Sequence, residues 1–108
     1  MASIVTIIDG VQPSTTTADD MYTAPASSGG VRIVAFSASL DTGTETYSAF
    51  IGATATADTR VIALKSITGA SEDLGAALIN QVIPAGQSLF IQVSTGNTIS
   101  FRCSGVQF

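Results

Sequence analysis

At 108 residues the chain has room for one domain, with about two-thirds of its unfolded surface available for burial around a single core. It has no His, no Trp and one Cys, which excludes Ser-His-Asp and Cys-His nucleophile systems and zinc sites built from Cys and His. The net charge is −4, and its four basic residues, Arg32, Arg60, Lys65 and Arg102, are scattered singly, which argues against nucleic-acid binding through clustered cations.

Only 11% of the residues are charged while 45% are hydrophobic, so Ser, Thr, Gly and Ala must cover most of the surface. Surfaces this poor in charge tend to associate, and the composition points to an assembly subunit. The start, Met1-Ala2-Ser3-Ile4, has no basic stretch of the kind that opens a secretion signal. No apolar run approaches the roughly 20 residues needed to cross a bilayer as a helix, so no membrane association is expected.

In chain order, Ile4, Val5, Ile7 and Ile8 around Thr6 form a β-branched run and a first predicted strand, stopped by Asp9-Gly10. Residues 11–20 lack periodicity and read as a loop or edge segment. Within them Asp19-Asp20 offers two carboxylates, but a hard cation needs six or more converging oxygens and no such spacing surrounds the pair. Met21-Tyr22-Thr23-Ala24-Pro25-Ala26 is extended, because the residue before a proline is driven out of the helical region. Ser27-Ser28-Gly29-Gly30 is a turn; without a following Lys-Ser/Thr pair or a helix it is not a phosphate loop.

Residues 31–40 alternate, with Ile33, Ala35 and Ser37 on one face and Arg32, Val34, Phe36 and Ala38 on the other, the pattern of a central strand. After the Asp41-Thr42-Gly43-Thr44 turn, Tyr47, Ala49 and Ile51 alternate with Ser48 and Phe50. The Thr-Ala repeat at 54–57 is an extended loop or an edge, and residues 60–68 form a further strand. Residues 73–80 hold the one candidate helical turn, with Leu74 and Leu78 at i, i+4 and Ser71 as N-cap, although Gly75 and the short length suit a loop or crossing strand equally.

The last third is the most regular. Leu89, Ile91 and Val93 face one way and Gln92 and Ser94 the other; after the Thr95-Gly96-Asn97-Thr98 turn, Ile99, Phe101, Cys103 and Gly105 alternate with Ser100, Arg102 and Ser104. This pattern predicts a closing antiparallel hairpin. Cys103 on the apolar face reads as a small buried hydrophobe. In all, about seven or eight short strands separated by turn signals predict an all-β fold, a small antiparallel β-sandwich or jelly roll.

Catalysis is not expected. The acidic residues fall mostly in predicted turns rather than in an apolar pocket that would raise one pKa, and Lys65 and Ser66, as neighbours on a strand, face opposite ways. The aromatic side chains lie mainly in strand patterns, where core packing is their commoner role than stacking on sugars or bases. Phe108 is either the end of the last core strand or an anchor on a neighbouring subunit.

Several segments in order carry a resemblance: Met21-Tyr22-Thr23-Ala24-Pro25-Ala26, Val82-Ile83-Pro84-Ala85-Gly86-Gln87-Ser88-Leu89, the Gly96-Asn97-Thr98-Ile99 turn and Phe101-Arg102-Cys103-Ser104-Gly105-Val106. Together they resemble short virion proteins of tailed bacteriophages, in which a Leu-Tyr-Thr-Val-Pro-Ala-Gly type opening, a Pro-Ala-Gly turn, a Gly-Asp-Thr-Ile turn and a final Ala-Ser-Gly-Val strand recur. The likeness covers residues 21–108. Ser27-Ser28-Gly29-Gly30 stands where a Gly-Lys pair is common, and Asn97 where Asp is common.

The resemblance implies a sandwich module at 21–108 preceded by residues 1–20, which are either an N-terminal arm or the module's own first strand. It implies a capsid decoration (cement) protein, assembled in the host cytoplasm and carried on the outer surface of the virion, with no cofactor and no catalytic residue. The implied partner is the major capsid protein, and the implied state is a homotrimer or homodimer. Ile4, Val5, Ile7 and Ile8 are the candidate contact residues, since a β-branched run can add a strand to a neighbour's sheet edge. The alternative implied role is a head-fibre, tail-fibre or adhesin module that binds host-surface glycans.

Overall fold

The alternating stretches become strands in the computed structural model, which describes residues 3–108. They are β1 (Ser3–Val11), β2 (Asp19–Thr23), β3 (Val31–Leu40), β4 (Thr44–Gly52), β5 (Arg60–Thr68), β6 (Ser71–Asp73), β7 (Val82–Ile83), β8 (Ser88–Val93) and β9 (Ile99–Gln107). The Thr-Ala repeat ends in one short 3-10 turn, Ala57–Thr59, and there is no α-helix among the described residues. Thr59 closes that turn by donating its hydroxyl to the Thr54 carbonyl at 2.7 Å and accepting the Thr56 N–H at 3.0 Å.

Two antiparallel sheets pack face to face. One has the order β1-β9-β3-β6, with the two-residue β7 also paired to β3, and the other has the order β2-β8-β4-β5. The pairings nest: β1 with β9, β2 with β8, β3 with β6 and β4 with β5. A chain paired in this way is one long hairpin wrapped on itself, which is the jelly-roll order of a β-sandwich. The all-β sandwich expected from the strand pattern is the fold observed.

The closing hairpin is not. β8 and β9 lie in different sheets, paired to β4 and β3 respectively, so the 95–98 turn is an arch across the sandwich rather than a hairpin loop. Its apolar faces still meet, because Leu89, Ile91 and Val93 look across the core at Ile99, Phe101 and Cys103, all buried. The arch is held against the 12–18 loop: Asn97, at φ +58°, donates its N–H to the Pro13 carbonyl at 2.8 Å. A side chain at Gly96 would run into the Ser14 carbonyl.

The expected alternation of 31–40 also breaks midway. Val31 and Ile33 are buried, but so are Phe36, Ala38 and Leu40, while Ala35 is exposed. A bulge at Val34, between the register pairs Ile33–Gly105 and Ala35–Ser104, shifts the phase by one residue. A matching bulge in β1, between Thr6 and Ile8, lets the consecutive Ile7 and Ile8 both enter the core.

Residues 74–81 are turns. Gly75 and Asn80 have φ of +58° and +71°, and the turns close through Leu78 N–H to Gly75 O at 2.8 Å and Gln81 N–H to Leu78 O at 3.0 Å. Leu78 is fully buried and Leu74 is 64% exposed, so the i, i+4 pair is split and no amphipathic helix face exists to stabilise. Ser71 begins β6 opposite Leu40 instead of capping a helix.

At the centre of the core, Phe36 and Phe101 from one sheet meet Tyr47 from the other. Ring centroids are 5.4 to 6.0 Å apart, within the range of favourable offset and edge contacts.

Candidate functional site

β1 ends its sheet. It pairs with β9 on one side, and among the described strands its other backbone edge has no partner. Along it, Ile4 is 85% exposed, Val5 is half-buried against the core, and Ile7 and Ile8 are buried within it. Of the four candidate contact residues, then, Ile4 is presented to solvent and Ile7 and Ile8 are committed to the fold. The run is a strand of this chain's own sheet, and β2 begins at Asp19, so the expected division after residue 20 falls inside a strand.

Register extends the apolar character of Ile4 across the sheet. Ile4 lies opposite Val106, Val106 opposite Arg32, and Arg32 opposite Val82, which places all four side chains on the outer face. Phe108 continues the row: Val82 Cγ1 and the half-exposed Phe108 ring both flank Gly30, where an added Cβ would lie 3.1 and 3.7 Å from them. The Phe108 backbone is fixed by exchange with the 29–30 turn, donating to the Gly30 carbonyl at 3.1 Å and accepting from the Gly29 N–H at 2.5 Å. Arg32 donates from Nη1 to the Asn80 side-chain Oδ1 at 3.2 Å. The result is an apolar row beside an open strand edge.

The outer face of the other sheet is different in kind. A groove of about 410 Å³ is lined by Thr16, Thr46, Ser48, Arg60, Leu64, Gln92, Val93 and Ser94. The polar phases of β4 and β8 build its floor, since Ser48 lies opposite Gln92 and Ser94 follows beside Thr46. Ser94 Oγ accepts the Thr46 N–H at 2.9 Å and donates to Glu45 Oε1 at 2.8 Å. Hydrogen bonds from the Thr95 and Ser94 hydroxyls hold the Glu45 carboxyl below the usual carboxylate range. Gln92 Nε2 donates to the Thr16 carbonyl at 3.1 Å, fixing the loop over one end.

At the other end Arg60 lies over the Phe50 ring, 5.5 Å from its centroid, and this outward-facing aromatic, opposite Phe90, is 3% exposed. Leu64 forms the lip. It sits in a bulge of β5 at φ +49°, a conformation disfavoured for any residue with a Cβ, with its N–H held by the Ser48 hydroxyl at 2.9 Å and its side chain 72% exposed.

The remaining candidates are accounted for within the fold. Cys103 is buried, and burial pushes its thiol up to about 12. Asp20 accepts the Ser88 hydroxyl at 2.9 Å and the Thr23 hydroxyl at 3.3 Å, and no three acidic, Cys or His residues converge as a metal site among the described residues. Lys65 and Ser66 pair with Tyr47 and Thr46 at successive register positions, so they face opposite ways. Tyr22 and Phe90 are half-buried in strands rather than gathered on loops.

Sequence reasoning found the polar phase of Gln92 and Ser94 without recognising a groove. Arg60 and Leu64 carry no sign in the sequence beyond their place in the 60–68 strand pattern. A leucine in the left-handed region carries no local signal, since the conformation is imposed by the Ser48 hydroxyl and the bulge.

Comparisons with family models, with curated proteins and with solved structures gave no match for this chain.

Proposed function

We propose that this chain is a structural subunit of a bacteriophage virion, a capsid decoration (cement) protein that binds the outer surface of the shell and stabilises its mature form. The observation that carries the reading is Ile4, exposed on a strand edge without a partner and continued by the apolar row of Val106, Val82 and Phe108. An open edge offers unpaired backbone groups to a strand of a neighbour, and an adjoining apolar row adds buried area to that pairing. The jelly-roll order supports the reading by analogy of fold, since shells and lectins both use it.

Mechanistically, a subunit that binds the expanded lattice and not its precursor or its disrupted forms adds its binding free energy to the expanded state alone. The partner on this reading is the major capsid protein, with self-association as a homotrimer or homodimer. The test is the copy number of the chain per purified particle, by quantitative mass spectrometry against the capsid protein. A number comparable with the capsid protein is expected; absence from the particle overturns the proposal.

A second reading is favoured by the groove on the opposite sheet: a fibre or adhesin module that recognises host-surface glycans. Its lining of hydroxyl and amide side chains with one cation and one apolar lip suits saccharides, and a handful of copies per particle would favour it.

A further inference from the structure

The groove between β4, β5 and β8 contains more unused hydrogen-bonding capacity than the fold requires. Ser48 is only 4% exposed, and its hydroxyl accepts the Leu64 N–H at 2.9 Å, a bond that uses the oxygen and leaves the hydroxyl its one capacity to donate. Gln92 spends one amide proton on Thr16 and keeps the second, together with its carbonyl oxygen. Arg60 forms no ion pair among the described residues, where Arg102–Asp9 is the pair found. Its guanidinium lies over the Phe50 ring, 5.5 Å from the centroid, a contact that engages the cation's charge and not its N–H donors.

Leu64 is the independent sign of a site. A leucine at φ +49° is held there by a side-chain hydrogen bond and left largely in water, where the fold gains little from its apolar bulk. Such a lip suits the C–H face of a pyranose ring, while the amide and hydroxyls below suit its hydroxyl groups.

We infer that this groove binds a saccharide bearing a carboxylate, with Arg60 pairing to the carboxylate, Gln92 and Ser48 hydrogen-bonding ring hydroxyls, and Leu64 covering the apolar ring face. The inference rests on the glycan-binding reading and narrows it to acidic sugars. A planar carboxylate matches a single guanidinium fork, whereas a phosphate is usually met by several cations or a run of backbone N–H groups, neither of which lines this groove. The groove volume lies within the range of about 300–1,000 Å³ common to small-ligand sites.

The experiment is an amide-resolved NMR titration of the full chain with trisaccharides ending in galacturonate, glucuronate or N-acetylneuraminate, each beside its methyl ester, which keeps the ring and removes the charge. At least one acid is expected to shift the Leu64, Gln92 and Ser94 amides and to bind about tenfold more tightly than its ester. Arg60→Gln should bring the acid to the level of the ester, and Gln92→Ala should weaken both, with melting curves of each variant confirming the fold. Which acid binds distinguishes a uronate from a neuraminate source. Equal binding of acid and ester in the groove overturns the carboxylate assignment and leaves the glycan reading standing. Shifts confined to another surface overturn the groove assignment, and no shift with any saccharide overturns both.

Discussion

Tyr47 donates its phenolic proton to Asp73 Oδ2 at 2.5 Å, and the bond runs from one sheet of the sandwich to the other. Asp73 also accepts the Gly75 N–H at 3.3 Å, so this carboxylate ties β4 to the turn that follows β6. Tyr47→Phe removes the inter-sheet bond while keeping the ring between Phe36 and Phe101, and is expected to cost about 1.5–3 kcal/mol, the range for bonds to a charged group. Urea unfolding of the wild type and the variant measures it; a loss near zero would show that solvent replaces the bond.

The same residue gives a pH dependence. Burial first, then the hydrogen bond and the negative charge of Asp73, push the Tyr47 hydroxyl well above its ordinary value. A folded-state value above the unfolded one means that the unfolded chain loses this proton first. The stabilisation is therefore fully present below about pH 10 and is lost as pH rises beyond it. In Tyr47→Phe that part of the alkaline loss should vanish, leaving the part due to Cys103, whose thiol is raised in the same sense. Stability measured from pH 8 to 11 on both proteins decides it.

Cys103 should be inert in the folded protein. At pH 8 a thiol pushed up to about 12 is thiolate in roughly one molecule in ten thousand, against about one in ten for an ordinary cysteine, so alkylation should slow by about a thousandfold from ionisation alone. Burial of the sulfur slows it further. Iodoacetamide labelling across a urea series should follow global unfolding; fast labelling of the native protein would contradict the buried position on β9.

How far the sequence leads depends on what breaks its periodicity. At Leu89, Ile91, Val93 and again at Ile99, Phe101, Cys103 the period of two runs uninterrupted, and both strands and their inward faces are legible. Their partners are not, because a hairpin and an arch put the same side chains inward; the choice is made by the 12–18 loop gripping Asn97 and by β4 and β3 competing for the two strands. In β3 the phase shift at Val34 leaves no mark in composition, so simple alternation assigns Phe36 and Ala38 to the face opposite Ile33, whereas all three are buried. The groove shows the same limit: Gln92 and Ser94 lie on a visible polar phase, whereas Leu64 and Arg60 reach it only through two successive register shifts between β4 and β5.

Two glycines in the left-handed region separate the two costs of adding a side chain. Gly43, at φ +81°, has open space around it, and Gly43→Ala should cost about 1 kcal/mol from backbone strain alone. At Gly75, φ +58°, an added Cβ would fall on the Phe36 ring, so strain and overpacking combine and Gly75→Ala should cost about 2–4 kcal/mol. Equal losses in parallel urea titrations would mean that Phe36 yields without cost.

The β1 edge separates folding from assembly. Ile8 is 4% exposed, and Ile8→Ala should cost about 2–4 kcal/mol through the cavity it leaves, lowering the unfolding midpoint wherever the protein is found. Ile4 is 85% exposed on the same strand, so Ile4→Lys should change stability by no more than about 0.5 kcal/mol. A lysine on an open edge opposes strand addition, because its charge would have to be buried against the incoming chain. On the proposed decoration role, Ile4→Lys is therefore expected to weaken self-association in sedimentation and retention on purified capsids while its melting curve stays in place. If the variant assembles and binds as the wild type does, the β1 edge is not the docking surface, and the contact must lie on a face that excludes Ile4.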